Sequence, residues 1–523
     1  MADKLVPARK RVSPPSCLGN LVVILAYAAL MISTNTHFTM LDDESDSIAI
    51  AGRPLVAALR PFFTGEGFHE LHPPEAELFM HLWLVTTHYS FFLLRVFANI
   101  LFIAAVLLTS KSAEKVAGRP AYWATLLLGF VWPFAFQYGR ITGWYSLSIF
   151  LLSGVTWSYL AIVEDQGHRD RGYWPWVIFA IASVLLVWSN YFGFAFLFLL
   201  LADFLIFHRN LASKQIRQLL IVMAIIAAAF LPLLKVALLD VATYVAPAAS
   251  RTDWKNEIAG AGYPSFAIFG SAAIAPWYLP LSVPVFVSIL VLFAAIWFSR
   301  GRRWLIYFVF SMALLDISGN FNIKRVPFML PWLFLAIGIA LSSRASRYPR
   351  LVLAAIAVIV ACGWIGILSG KHYATANLYE PWGKVAEVVA QDARRGASIV
   401  SVNPPFFLYL DYQLGLESDT KAADSAFLGE DLYRAHGYTV LQPDDWQTWA
   451  GKLRGKVVLV NGTGVLSQVE DQNALNDALS LRCKAQGEYH AAPDPAASWK
   501  ARFVKDAPTF AYRTNVIWYD CPR

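Results

Sequence analysis

Charge is what this sequence has least of. Lys, Arg, Asp and Glu together make up 15% of its 523 residues, against 57% hydrophobic, far from the balance of an average soluble domain. That scarcity excludes an ordinary soluble chain and a disordered one. The formal charge of +7 does not point to nucleic acid, because the basic residues are scattered through short loops between apolar runs. Cysteine is nearly absent. Of four residues, Cys17 and Cys362 lie near or in apolar runs, while Cys483 and Cys521 lie in the polar C-terminal part. The latter two can pair if that part faces an oxidising space. No P-loop, G-x-G-x-x-G or Ser-His-Asp pattern is present, so cytosolic nucleotide-sugar chemistry has no visible site. There is no internal repeat and no low-complexity region. The first apolar run is long and lacks a small-residue cleavage site, which argues against a cleavable signal peptide.

What is present is a series of apolar runs close to the ~20 residues that cross a bilayer. The sequence predicts a mainly α polytopic membrane protein with about eleven transmembrane helices, near 18–38, 91–110, 121–138, 144–163, 173–190, 192–207, 218–238, 281–298, 304–320, 326–343 and 351–369. With the short basic N-terminus in the cytoplasm, every inner loop is basic: Lys111, Lys115 and Arg119; Arg169 and Arg171; Arg209, Lys214 and Arg217; Arg300, Arg302 and Arg303; Arg344, Arg347 and Arg350. That distribution follows the positive-inside rule. The nineteen Trp and 22 Tyr suit interfacial aromatic belts.

Composition changes after Gly370. Residues 1–370 read as the membrane domain, including a first outer loop at 39–90, and residues 371–523 as a soluble α/β domain on the outer, periplasmic side. In the latter, 381–395 and 472–482 have helical periodicity, and SIVSVN (398–403), KVVLVNGTG (456–464) and TNVIWYD (514–520) read as strands. The Asn461-Gly462-Thr463 sequon sits at a strand–turn junction and is attributed to chance. The long outer segment at about 239–280 has the length of a lid or binding element.

The first outer loop opens on LDDESDS. Asp42, Asp43, Glu44 and Asp46 follow directly on the first apolar run, so carboxylates stand where a low-dielectric wall meets water. An amphipathic helix is expected over about 47–63, followed by GEGFHELHPPEAELFMHLW. Further outer segments carry Arg140, Gly143 and Tyr145; Ser189-Asn190-Tyr191-Phe192-Gly193; and KRVPFMLPWLFLAIGIAL from Lys324 and Arg325. In their order and common side, these motifs resemble the integral-membrane glycosyltransferases of the GT-C class. The likeness is to the bacterial branch related to protein O-mannosyltransferases and the lipid A aminoarabinose transferase.

The resemblance implies transfer of a sugar from a polyprenyl monophosphate carrier to a protein hydroxyl, lipid A or a polysaccharide at the outer face of a bacterial inner membrane, with inversion at the sugar. It carries an acidic position onto Asp43 or Glu44. Asp43 is the favoured general base, with Asp42 open. Donor phosphate contacts fall to Arg140, to Lys324 and Arg325, two cations where the positive-inside rule disfavours them, and to His72 of the HPP motif. Glu75, Tyr145 and Tyr191 fall at the substrate cavity. Relatives carry apolar or aromatic residues after HPP, whereas Glu75 and Glu77 stand here. Asp203 and Asp316, within or at the ends of spans, are functional candidates by that position. The spacing of His69, His72, His81 and His88 does not place three of them on one helical face at adjacent turns. No metal site is assigned and no cofactor is required, divalent-metal dependence being left open. Two other readings remain: a polysaccharide polymerase or ligase, which usually lacks a C-terminal soluble domain, and a transporter of a polyprenyl-linked substrate, which usually shows paired repeats.

Overall fold

The computed structural model describes residues 17–35, 47–48, 51, 55–64, 73–87, 91–164, 173–208, 213–240, 262, 265–271, 274, 279–317, 325–342, 347–369, 382–401, 410, 414, 438–440, 451–462, 466–490 and 514–522. Helices dominate. They are α1 (Cys17–Thr34), α2 (Leu55–Thr64), α3 (Glu75–Thr86), α4 (Phe91–Ala117), α5 (Arg119–Val131), α6 (Pro133–Tyr138), α7 (Trp144–Val163), α8 (Trp174–Ser189), α9 (Gly193–Phe207), α10 (Ser213–Phe230), α11 (Leu234–Asp240), α12 (Leu279–Trp297), α13 (Arg302–Ile317), α14 (Leu330–Leu341), α15 (Pro349–Ser369), α16 (Trp382–Arg394) and α17 (Leu466–Arg482).

Helices stand at every position where the sequence predicts a span. Among the described residues five helical segments, including α4, α7 and α15, are long and apolar enough to cross a membrane, and four shorter apolar helices accompany them. Large apolar side chains such as Leu220, Phe286, Leu290 and Leu353 remain exposed on their outward faces. Burial of polar rather than apolar groups governs such a bundle, whose solvent is lipid. The chain is a multi-pass membrane protein.

α7 is the hub, buried on all sides. Small hydroxyl residues let its neighbours approach. Ser148 pairs with Ser189 of α8 at 3.2 Å, and Thr109 of α4 donates to Ser153 at 3.0 Å. α14 is equally enclosed. There Gly338 lies so close to α5 that a Cβ would meet Thr125 Oγ1 at 1.8 Å. Only glycine fits that crossing.

Two expected spans are interrupted, each at a proline. The run at 121–138 divides into α5 and α6, because Pro133 has no N–H to continue the ladder and Trp132 ahead of it is extended. The Trp132 indole N–H then donates to Ile268 O at 2.6 Å, fixing the break in the core. The run at 218–238 likewise steps through a 3-10 turn at Leu231–Leu233, around Pro232, between α10 and α11.

The C-terminal part holds a five-stranded mixed sheet in the order β2-β1-β3-β5-β4. Its strands are β1 (Ser398–Ser401), β2 (Tyr438–Val440), β3 (Gly455–Gly462), β4 (Lys484–His490) and β5 (Thr514–Cys521). β1 lies parallel to β2 and β3, and β5 antiparallel to β3 and β4. β2 and β4 are additions to the strands read from sequence. Alternation along β3 turns Val457 and Leu459 toward Leu475 and Leu479 of α17, and Val458 and Val460 toward Val385 and Val389 of α16. A Cys483–Cys521 disulfide joins the start of β4 to the end of β5. The α16 side does not close on itself. Its buried cluster continues into Met80 and Leu84 of α3, Leu94 of α4, Ile48 and Ala51.

Candidate functional site

The end of the bundle that meets this sheet also gathers the segments singled out in the sequence. α1 arrives there with its last carbonyls unpaired by its own ladder, as every helix does, and with no glycine to cap it. Side chains from other helices take that role. Arg140, buried in the turn after α6, donates from Nη1 to Thr34 O and Oγ1, both at 3.1 Å, and from Nε to Phe136 O at 3.1 Å. Its guanidinium lies 3.9 Å from the centroid of the Phe136 ring. One residue further along α1, Arg95 donates from Nη1 to Asn35 O, and Asn99 Nδ2 donates to Asn35 Oδ1 at 3.2 Å. Arg95 and Asn99 are four apart on α4 and so share a face.

The far flank of the acidic stretch is also placed. Ser47, bonded to Asp46, is buried against Gly143, where a Cβ would come within 3.4 Å of the Ser47 Oγ. Gly143 has φ 106°, a left-handed conformation that favours glycine. It starts α7 at the point where the chain leaves Arg140.

Rings connect the remaining motifs. Tyr145 is buried between Tyr138 at 5.7 Å and Trp144 at 4.2 Å. Trp144 meets Phe328 at 5.7 Å, Phe328 stacks on Phe192 at 6.3 Å, and the Arg325 guanidinium lies 5.7 Å from the Phe192 ring. The segments around Arg140, Tyr191 and Arg325 therefore form one aromatic-lined patch. Tyr191 is half-buried, edge-on to Phe230 at 6.0 Å.

α3 supplies the site's electrostatic anomaly. Glu75 and Glu77, in its first turn, are 2% and 1% exposed, and among the described residues none of their four carboxylate oxygens has a hydrogen-bond partner. Burial holds the Glu75 carboxyl well above the usual carboxylate range, and the nearby Glu77 pushes it further. Burial raises Glu77 to about 7. Between them, Ala76 packs into the membrane core.

Of the other residues expected at the site, Asp42, Asp43, Glu44, His72 and Lys324 lie outside the described residues, as do His69 and His88. His81 pairs its Nδ1 with Ala51 O at 2.7 Å. Among the described residues no group of three or more His, Cys, Asp or Glu is arranged to hold a metal ion. Asp316 is exposed at the end of α13. Asp203 stands apart, eleven residues along α9 from Phe192, or about 16 Å of helix. It is buried there and receives hydrogen bonds from Arg303 and from the Tyr159 and Tyr307 hydroxyls, which reads as a tie between helices. Arg95, Asn99 and Asn35 were not anticipated. A lone arginine near the start of an apolar run, with an amide one turn later, is the signal that would have found them.

No protein-family model matches the sequence, and no curated protein matches it either. Solved structures do match its fold. The crystal structure of ArnT from Cupriavidus metallidurans in the apo state superimposes with a TM-score of 0.52 at 13% identity, over 96% of this chain and 98% of that one. The crystal structure of the same ArnT bound to undecaprenyl phosphate gives a TM-score of 0.49 at 14% identity, over the same shares. The chain has the fold of apo ArnT, in agreement with the GT-C-like architecture expected from its motifs.

Proposed function

We propose that the chain transfers a sugar from a polyprenyl-monophosphate carrier to an acceptor at the outer face of a bacterial inner membrane. The observation that carries this reading is the convergence, at one end of an ArnT-like fold, of α1's exit, the Arg140–Tyr145 turn and the Phe192–Phe328–Arg325 patch. The acceptor oxygen attacks the anomeric carbon, the carbon–oxygen bond to phosphate breaks with inversion, and polyprenyl phosphate departs. A first-loop carboxylate takes the acceptor's proton: Asp43, with Asp42 and Glu44 as alternatives. Arg325, Lys324 and His72 receive the phosphate, and Arg140 adds its charge from behind, its Nε and Nη1 being engaged with backbone. Glu75, Tyr145 and Tyr191 border the substrate cavity. The mechanism assigns no step to a metal.

Eleven crossings put the N-terminus in the cytoplasm and the 371–523 domain outside, above the membrane domain at 1–370. The basic inner loops support that orientation, as does the Cys483–Cys521 disulfide, which requires an oxidising compartment.

The test is release of polyprenyl phosphate by the full chain in nanodiscs, offered a panel of polyprenyl-phosphate sugars with envelope-derived acceptors. Turnover of one donor, lost in Asp43→Asn, is the expected result. No turnover of any donor overturns the assignment, and turnover that survives Asp43→Asn moves the base to Asp42 or Glu44.

A further inference from the structure

α1 is sparsely enclosed for a helix that carries a functional segment at its end. Its buried stripe is Tyr27, Met31 and Asn35, while Leu21, Val22, Leu25 and Leu30 are exposed. A helix held by so narrow a stripe takes its exact setting from its termini. Here the exit terminus is gripped twice, on successive residues, by side chains from two other elements: Arg140 on Thr34, and Arg95 with Asn99 on Asn35. Both arginines are 1% exposed. Two buried cations at a helix C-terminus complement its partial negative charge and its orphan carbonyls. Asp42, Asp43 and Glu44 follow Asn35 by seven to nine residues, and Asp46 is bonded to Ser47, itself seated on Gly143.

We propose that Arg95, oriented with Asn99 on α4, is a positioning residue: it fixes Asn35 and so sets where the acidic segment leaves the membrane. This deepens the proposed transferase reading and rests on it for the segment's catalytic role. Lysine keeps the charge but cannot present the planar fork, so Arg95→Lys separates charge from geometry. Arg95→Gln removes both, and Asn99→Ala weakens the same grip if Arg95→Gln does not fold.

The experiment pairs hydrogen exchange with kinetics on the full chain in nanodiscs. Exchange over peptides covering 36–46 is expected to quicken in Arg95→Gln, with 97–117 and 144–163 unchanged. In the same variant kcat should fall about tenfold or more while donor KM moves less than about threefold, the signature of lost alignment rather than lost binding. Arg95→Lys should fall between. Unchanged exchange over 36–46 overturns the proposal, as does faster exchange throughout α4 and α7, or a rise in donor KM that accounts for the loss. The exchange result does not depend on turnover. A wild-type protein that turns over no polyprenyl-phosphate sugar therefore overturns the transferase reading alone, and exchange then decides the grip on Asn35.

Discussion

Replacing Glu77 should make the protein more stable, and only at high pH. The folded protein raises this carboxyl from 4.5 to about 7 by removing it from water without giving its oxygens a partner among the described residues. The folded state therefore binds the proton more tightly than the unfolded chain does. Between pH 4.5 and 7 it carries more protons, and stability falls as pH rises through that window. At roughly 1.4 kcal/mol per decade of proton affinity, the full cost above pH 7 is about 3 kcal/mol. Glu75, raised in the same direction, adds to the slope. Glu77→Met removes the ionisation and the unpaired polar atoms together, and Glu77→Gln removes the ionisation alone. Denaturant unfolding of the full chain in nanodiscs at pH 5 and pH 8 measures the effect. Near pH 5 either variant should lie within about 1 kcal/mol of wild type, the range of an ordinary substitution. At pH 8 both should exceed it, Glu77→Met by about 3 kcal/mol. A wild type whose stability is flat from pH 5 to 8, or a Glu77→Gln variant with the wild-type slope, would refute the reasoning.

Other expectations follow from packing. Removing the Cys483–Cys521 bridge, which spans 38 residues, should cost about 4 kcal/mol by loop-closure entropy, read as faster proteolysis within 398–521 while 144–163 stays protected. Gly338→Ala drives a methyl into Thr125 and should cost roughly 1–3 kcal/mol. Folded yield should drop and recover in part with Thr125→Ala added. Asp203→Ala strands Arg303 and two tyrosine hydroxyls, a loss of roughly 3–5 kcal/mol. The protein that still folds should keep the wild-type donor KM, since this cluster lies far from the site.

Legibility followed physical cause element by element. The span expected at 144–163 is observed at Trp144–Val163, because an unbroken apolar run starting after Gly143 has no competing signal. The runs containing Pro133 and Pro232 read as single spans, although each proline lacks the donor a continuous helix needs. β4 went unread because KAQGEYH is an edge strand, exposed along nearly all its length, and carries no apolar alternation. β2 is three residues long, too short for a period. At the site, Arg140, Tyr145, Tyr191 and Arg325 were visible through their motifs. What they touch was not, since Arg140 reaches a residue 106 positions away. Arg95 was hidden by its own apolar run, where one charge does not disturb the hydropathy.

The apolar cluster shared by α3 and the C-terminal sheet also sets a clock on biogenesis. Met80 and Leu84 pack with Val385, Val389, Val458 and Val516, so this face of α3 has no cover when the helix is made. At the usual 5–20 residues per second, roughly 300 to 430 residues of further synthesis take about 15 to 90 seconds. For that interval the nascent chain presents a sticky helix beside its first membrane segment, and the last strand to emerge, β5, completes the cover. A chain truncated before β5 would leave the ribosome with that cover incomplete, a substrate for proteases whether or not its membrane helices had packed.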